Sequence, residues 1–368
     1  MTARARRLAI TAAIAITLLF AGRWTATFLA ERWWGELQSP AAADFLTDLA
    51  LLRLVLDVAA ALIAAAWFIG HLLVVYRAIG SVEVSRRLAN LELREALARP
   101  TLLGGVVVAG AVLGLLAGGD AERHWREVAL AWHGVRFGFA DPLLQHDAGV
   151  YVAQLPLWDV LLDYAWLLVL GALVLVTALY LLIGAVRWIE GRPAINDHAR
   201  RHLGWLLAGV SMLLAIGFLL EPVRLVGGAD GLAGARRLQL ATLSAPVLAG
   251  VALSVALLSL VWAFRARHAL ALAGWLVFGA AVFVARVIGV ALVEPDDVPL
   301  GDTPTRARFD ALAYGTGEVR DSVVEVLPMP GEQPRWPALW QTEAIVRAGD
   351  NDSFRTVAAD PQWLPIQG

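Results

Sequence analysis

The sequence has no cysteine and no lysine, and charged residues make up only 17% of it. Without cysteine there can be no disulfide, thiolate metal site or cysteine nucleophile, an absence that fits either side of a bacterial membrane. Without lysine, all 30 basic side chains are arginine. Alongside abundant Ala, Gly and Leu, that reads first as a GC-rich bacterial genome and second as selection for guanidinium chemistry. The shortage of charge says more. A soluble domain carries about 25% charged residues, and a chain that is 59% hydrophobic has too little polar surface to stay in solution. A net charge of −2 gives no sign of a nucleic-acid partner. No catalytic, metal or nucleotide motif is present either, so no cofactor, no metal and no catalytic residue is expected.

What is present is a series of apolar runs, some long enough to span a bilayer, which takes about 20 residues. They fall near 8–29, 50–76, 101–118, 160–186, 203–220, 243–263 and 269–293. The expected fold is an all-α integral membrane protein, a bundle of seven transmembrane helices over residues 1–293 followed by a tail, 294–368. In the third run, Gly110, Gly114 and Gly118 repeat every fourth residue. That spacing lines one helix face with small residues and predicts a seam where a neighbouring helix approaches closely.

Arginines set the orientation, because cytoplasmic loops are enriched in them. The N-terminus and the segments 77–100, 187–202 and 264–268 together hold 14, and the loops 31–48, 118–156 and 221–242 hold 7. The alternation places the chain in a bacterial cytoplasmic (inner) membrane with its N-terminus inside and its C-terminus outside. A competing reading makes Arg4 to Gly22 a cleaved signal peptide, leaving six spans in the same orientation.

Two stretches between spans look ordered. Residues 77–99 carry Val84, Leu88 and Leu91 at helical spacing among charges, which predicts a cytoplasmic amphipathic helix. Residues 121–133 align Trp125 and Trp132 with Val128 and Ala129, which suits a helix lying at the outer headgroups. The tail has 13 acidic and 6 basic residues, several prolines, and Trp336, Trp340 and Trp363. So little apolar content argues against a packed core and favours a strip that docks on another surface.

Three sets of residues could carry chemistry. Arg23, Asp57 and Arg286 lie about seven or eight residues from the outer ends of their spans, roughly 10–12 Å deep at 1.5 Å per residue, and Arg53 sits one turn from Asp57. A charge at mid-membrane costs about 3 kcal/mol even on a lenient scale, so these groups should be paired. They read as structural pairing, with Arg23 and Arg286 snorkelling outward, or, alternatively, as a proton or ion relay centred on Asp57. Second, His133, Asp141, His146 and Asp147 could ligate a cation. The two aspartates suit turn or cap roles equally well. Third, His71 could bind a tetrapyrrole, shuttle protons or simply bond a carbonyl. No second histidine falls within a span at matching depth, so a bis-histidine haem is not expected. Glu221-Pro222 with Arg224 reads as a helix stop.

One stretch is distinctive: FGFADPLLQHDAGVYVAQLP, from Phe137 to Pro156. It resembles the pattern FG-x-x-DP-x-x-x-x-D-x-x-x-Y-x-x-x-LP of uncharacterised protein family 0182, matching it at Phe137, Gly138, Asp141, Pro142, Asp147, Tyr151, Leu155 and Pro156. Weaker echoes are Arg201-His202-Leu203, Val293-Glu294-Pro295 and Thr305-Arg306. The resemblance implies large bacterial multi-pass membrane proteins, with about seven N-terminal spans and an extracytoplasmic domain of hundreds of residues. Here the residues beyond the last span are 294–368, so that domain's role is not carried over. The family has no established activity, and the resemblance supplies an architecture without a mechanism.

Three functions are compatible with this pattern. The first is a non-catalytic membrane scaffold or accessory subunit that presents an extracytoplasmic docking surface to a protein partner, with membrane lipid around it. The second is a transporter or permease for a small or lipid-like solute, using the charge layer around Asp57. Against it, no inverted repeat and no matched pair of broken spans is visible. The third, a membrane-embedded transferase with Asp141 or Asp147 as base, lacks a second acidic motif or a phosphate clamp.

Overall fold

The computed structural model describes residues 22–79, 99–189, 192–227 and 234–291, apart from positions 135, 139 and 142. All of them fall within one compact unit, Met1–Gly317. Helix α1 covers 22–38. It is followed by α2 (Pro40–Ile79), α3 (Arg99–Gly118), the short α4 (Trp125–Trp132) entered through a 3-10 turn, and α5 (Leu155–Leu182) entered through a π-turn at Val150–Gln154. Strands β1 (Val186–Ile189) and β2 (Arg192–Ile195) then lead into α6 (Asp197–Gly227), α7 (Ala235–Arg265) and α8 (His268–Phe283), the last extended by a π-turn at Val284–Ile288.

Six helical stretches are long and apolar enough to cross a membrane: Pro40–Ala78, Leu102–Trp132, Val150–Leu182, Asp197–Gly227, Arg236–Arg265 and His268–Ile288. They correspond to six of the seven expected spans. The first expected span, 8–29, lies mostly outside the described residues, and so do the predicted helix at 77–99 and the tail, 294–368. The outside of the bundle is itself apolar: mid-helix Val174 and Leu257 are 69% and 64% exposed. Against water that surface would be costly, whereas lipid tails cover it without penalty.

Because lipid is as apolar as leucine, close packing has to hold the helices together. A Cβ added at Gly110, Gly114 or Gly118 would come within 2.5, 2.5 and 2.3 Å of Ile69, Ala65 and Ala61 respectively. Both α2 and α3 therefore carry the contact at every fourth residue, as the glycine spacing predicts. Hydrogen bonds between helices add to this: the Trp67 indole N–H donates to the Leu168 carbonyl at 3.0 Å, and Tyr164 Oη–H to the Ala60 carbonyl at 2.6 Å. A buried core with Phe68, Val176, Tyr180, Leu203 and Trp262 joins α2, α5, α6 and α7.

Two boundaries differ from the sequence reading. The fourth span stops at Leu182 instead of 186, and strands β1 and β2 then pair antiparallel in the segment that the sequence marks only as an arginine-bearing connection. Glu221-Pro222 does not stop α6, which runs through a buried Pro222 to Gly227. Neighbouring helices can re-satisfy the carbonyl that an intramembrane proline frees. The turn from α7 to α8 passes through Ala266 at φ 54°, and the Trp262 indole N–H closes it on His268 Nδ1 at 2.7 Å.

Candidate functional site

The Phe137–Pro156 loop is organised by its two aspartates. Asp147 accepts backbone N–H groups from Phe137 (3.1 Å), Gly138 (3.0 Å) and Gly149 (2.7 Å), while its backbone bridges to Ala140. The Gly149 N–H above all, then those of Phe137 and Gly138 and the charge of Arg136, hold its carboxyl below the usual carboxylate range. Gly138 sits at φ +77°, where a side chain would be strained. Asp141 is completely buried. One of its oxygens, Oδ2, accepts the N–H of Leu143 (3.1 Å) and Leu144 (2.7 Å) and the hydroxyl of Tyr151 (3.2 Å). The backbone pairs as well, Asp141 N–H to the His146 carbonyl at 2.7 Å and Gln145 N–H to the Asp141 carbonyl at 2.9 Å.

Asp147 and one oxygen of Asp141 thus take up the loop's own donors, the turn-and-cap role the sequence left open, while Asp141 Oδ1 is buried with no hydrogen-bond partner among the described residues. His133 bonds the Ala129 carbonyl at 3.1 Å and His146 is exposed. Among the described residues no three His, Asp or Glu side chains gather around a possible ion. Tyr151 and Leu155 close the loop onto the bundle, where both would touch a Cβ added at Gly227. Pro156 stands in the first turn of α5, and Pro142 lies outside the described residues. Phe137, Leu143 and Val152 remain exposed, as does Trp132 on α4. Trp125 is instead half-buried, with the Arg53 guanidinium 5.6 Å over its ring.

The expected charge layer does not assemble around Asp57. Asp57 Oδ1 accepts the Glu122 N–H at 2.7 Å, at the 3-10 turn that leads into α4. Arg53 pairs with Glu31 at 3.6 Å. Arg286 makes a two-pronged ion pair with Glu221 and lies over the Phe218 ring. Arg23 is exposed and makes no ion pair among the described residues. Glu221, one residue past the expected end of the fifth span at 220, lies inside α6. Because α6 continues, Glu221 is available to Arg286, and next to it Arg224 binds Asp159 at 2.6 Å. The tail tryptophans Trp336, Trp340 and Trp363 lie outside the described residues.

His71 requires the clearest correction. Its Nδ1 lies 2.6 Å from Nε2 of His202, the rings stacked at 4.9 Å, and Tyr180 Oη lies 2.9 Å from His202 Nδ1. The second histidine was missed because α6 begins at Asp197 and not at 203, which brings His202 into the helix. Arg201-His202-Leu203 also belongs to the weaker family echoes, and the helical spacing of 198, 201, 202 and 205 is the sequence signal that places His202 on a helix face. Two nitrogens at hydrogen-bond distance cannot also stand on opposite sides of one haem iron. The pair borders a cavity of about 520 Å³ between α2 and α6, lined by Trp67, His71, His198, Arg201 and Trp205 among others.

Six helices long and apolar enough to cross a membrane, joined by a carboxylate-braced loop, define a helical bundle of the membrane-protein kind. The chain belongs to the uncharacterised protein family UPF0182, whose family model matches residues 8–299. Similar curated proteins, each described as a UPF0182 protein, occur in several bacteria. One from Pelobacter propionicus is 32% identical over 33% of this chain, and one from Salinispora arenicola is 35% identical over 36%. One from Mycobacterium leprae is 29% identical over 61% of this chain. The matches span between 13% and 23% of those relatives' own lengths. No solved structure matches the chain.

Proposed function

We propose that this chain is a non-catalytic scaffold of the bacterial cytoplasmic membrane whose 136–155 loop, on the extracytoplasmic side, docks a protein partner. The supporting observation is how the loop's polar groups are used. Asp141 and Asp147 bind backbone donors and so fix its shape, while Phe137, Leu143 and Val152 stay exposed. A rigid surface with apolar side chains loses little entropy on binding and gains by burying them. Beside it, a groove of about 450 Å³ runs along α4, lined by Trp125, Leu130, Phe137 and Val152. The transporter reading loses its main support, since Asp57 bonds a backbone N–H and Arg286 is neutralised by Glu221. The transferase reading loses support as well, since Asp141 is buried and Asp147 is taken up by the N–H groups of Phe137, Gly138 and Gly149.

A photo-crosslinking residue placed at 152 in the full chain, in cells, tests this. A discrete protein adduct that disappears with Leu143→Glu or with Asp147→Ala is expected. Adducts no different from those of a probe at lipid-facing position 174 would overturn the reading. Reporter fusions placing 148 and 196 on the same side of the membrane would overturn the orientation.

A further inference from the structure

The cavity between α2 and α6 has a wall chemistry that the docking reading does not use. Its polar lining residues are His71, His198, Arg201 and His202, and no carboxylate is among them. The two adjacent arginines of α6 have different surroundings. Arg200 is buried, paired with Asp197 at 2.6 Å and bonded to the Ala263 carbonyl at 3.3 Å. Arg201 is exposed at the cavity and has no carboxylate partner among the described residues.

The histidine chain decides which proton faces the cavity. Tyr180 is fully buried, and among the described residues its hydroxyl has a single acceptor, His202 Nδ1. A buried donor left unpaired is costly, so the hydroxyl donates to that nitrogen. His202 must then carry its proton on Nε2 and donate it to His71 Nδ1. His71 is left with its proton on Nε2, which has no partner among the described residues, on a ring that lines the cavity. A remote tyrosine thus fixes His71 as a donor, in the way outer groups orient histidines elsewhere. Trp67, held by its bond to Leu168, and Trp205 supply apolar walls.

We propose that this cavity binds an anionic phosphate group, with His71 Nε2–H and the Arg201 guanidinium as donors and Trp67 and Trp205 beside an attached apolar chain. Guanidinium matches the oxygen geometry of phosphate, and tryptophans are enriched where headgroups meet hydrocarbon. Arg201 stands about 6 Å from the start of α6 and His71 about 12 Å from the end of α2 at 1.5 Å per residue, so both donors lie towards the same end of the bundle. The phosphate can come from an anionic lipid headgroup or from a free anion.

The test uses the purified full chain in neutral detergent, with unfolding temperature followed as short-chain phosphatidylglycerol, short-chain phosphatidylcholine or inorganic phosphate is added at constant ionic strength. Phosphatidylglycerol should raise the midpoint saturably, on the order of 5 °C, and phosphatidylcholine should not. Arg201→Gln, at an exposed position that does not threaten folding, should remove most of the rise. His71→Phe should do the same, while Arg187→Gln on the hairpin should keep it. An equal rise with inorganic phosphate, also lost in Arg201→Gln, supports the site and assigns its source to the free anion. No rise with either phosphate, an equal rise with phosphatidylcholine, or a rise retained by Arg201→Gln overturns the proposal. None of these outcomes depends on whether the 136–155 loop docks a protein.

Discussion

The 136–155 loop and the histidine cavity both gather polar groups, but they use them in opposite ways. In the loop, Asp147 and one oxygen of Asp141 take up backbone N–H groups, and the chemistry is consumed in holding a shape. In the cavity, Tyr180 and His202 pass their donors along a line that ends in an N–H on His71 with no partner among the described residues. The loop carboxylates find their donors within ten positions along the chain, the nearest at two or three as in local caps and turns. Imidazoles on two different helices, 131 positions apart, meet only if the helices pack, and what they leave over depends on what lies behind them. The first arrangement makes a surface and the second makes a site.

The comparison breaks most easily at Asp141. Asp141→Ala should strand three donors in a buried position and cost about 3 kcal/mol. Denaturant unfolding in detergent would read that loss, and limited proteolysis should show new cleavage within 137–155. An unchanged digest would mean that the carboxylate does not brace the loop.

Acid should loosen the same loop through Asp147. Its folded pKa lies below the ordinary 3.8, so its contribution is fully present above 3.8 and is lost as pH falls through the folded value. Protease susceptibility should therefore stay flat from neutrality down to about pH 4 and rise below it. Asp147→Asn should flatten that rise.

At the cavity, Tyr180→Phe should cost only about 1 kcal/mol, one hydrogen bond. Its larger consequence is to free the histidine tautomers, which nitrogen NMR of labelled His71 and His202 would register as a change in the protonated nitrogen. A His71 already protonated on Nδ1 in the unaltered chain would contradict the chain of donors. The smallest effect belongs to Asp57→Asn. The amide still offers an oxygen to the Glu122 N–H, so stability should fall by about 0.5 kcal/mol, with no change in proton flux in reconstituted vesicles.

Much of the architecture was legible because bilayer-scale apolar length is written locally. Six runs appear as six helices, and the Gly110–Gly114–Gly118 seam appears as close contact with α2. The loop stood out by its motif, and its aspartates were legible as turn or cap residues. What could not be read were partners that depend on where helices end. Hydropathy alone placed the start of α6 six residues late and its end several residues early, which hid His202 at one end and Glu221 at the other. Asp57 was assigned to arginines by depth, but a backbone N–H beyond α3 reaches it first. The π-turns at 150–154 and 284–288 leave no recognisable pattern in side-chain polarity.

By itself, then, the sequence determined that this chain is a helical bundle with an apolar exterior, which segments are long and apolar enough to cross a membrane, and which loop aspartates suit turns or caps. Each of those follows from local composition, because about 20 apolar residues suffice to define a span and a carboxylate needs only nearby N–H groups to define a turn. The tertiary structure alone decided that Arg286 meets Glu221, that His71 meets His202, and that Tyr180 stands behind them. Those contacts join residues far apart in the chain, and the packing of α2, α5, α6 and α8 sets their distances.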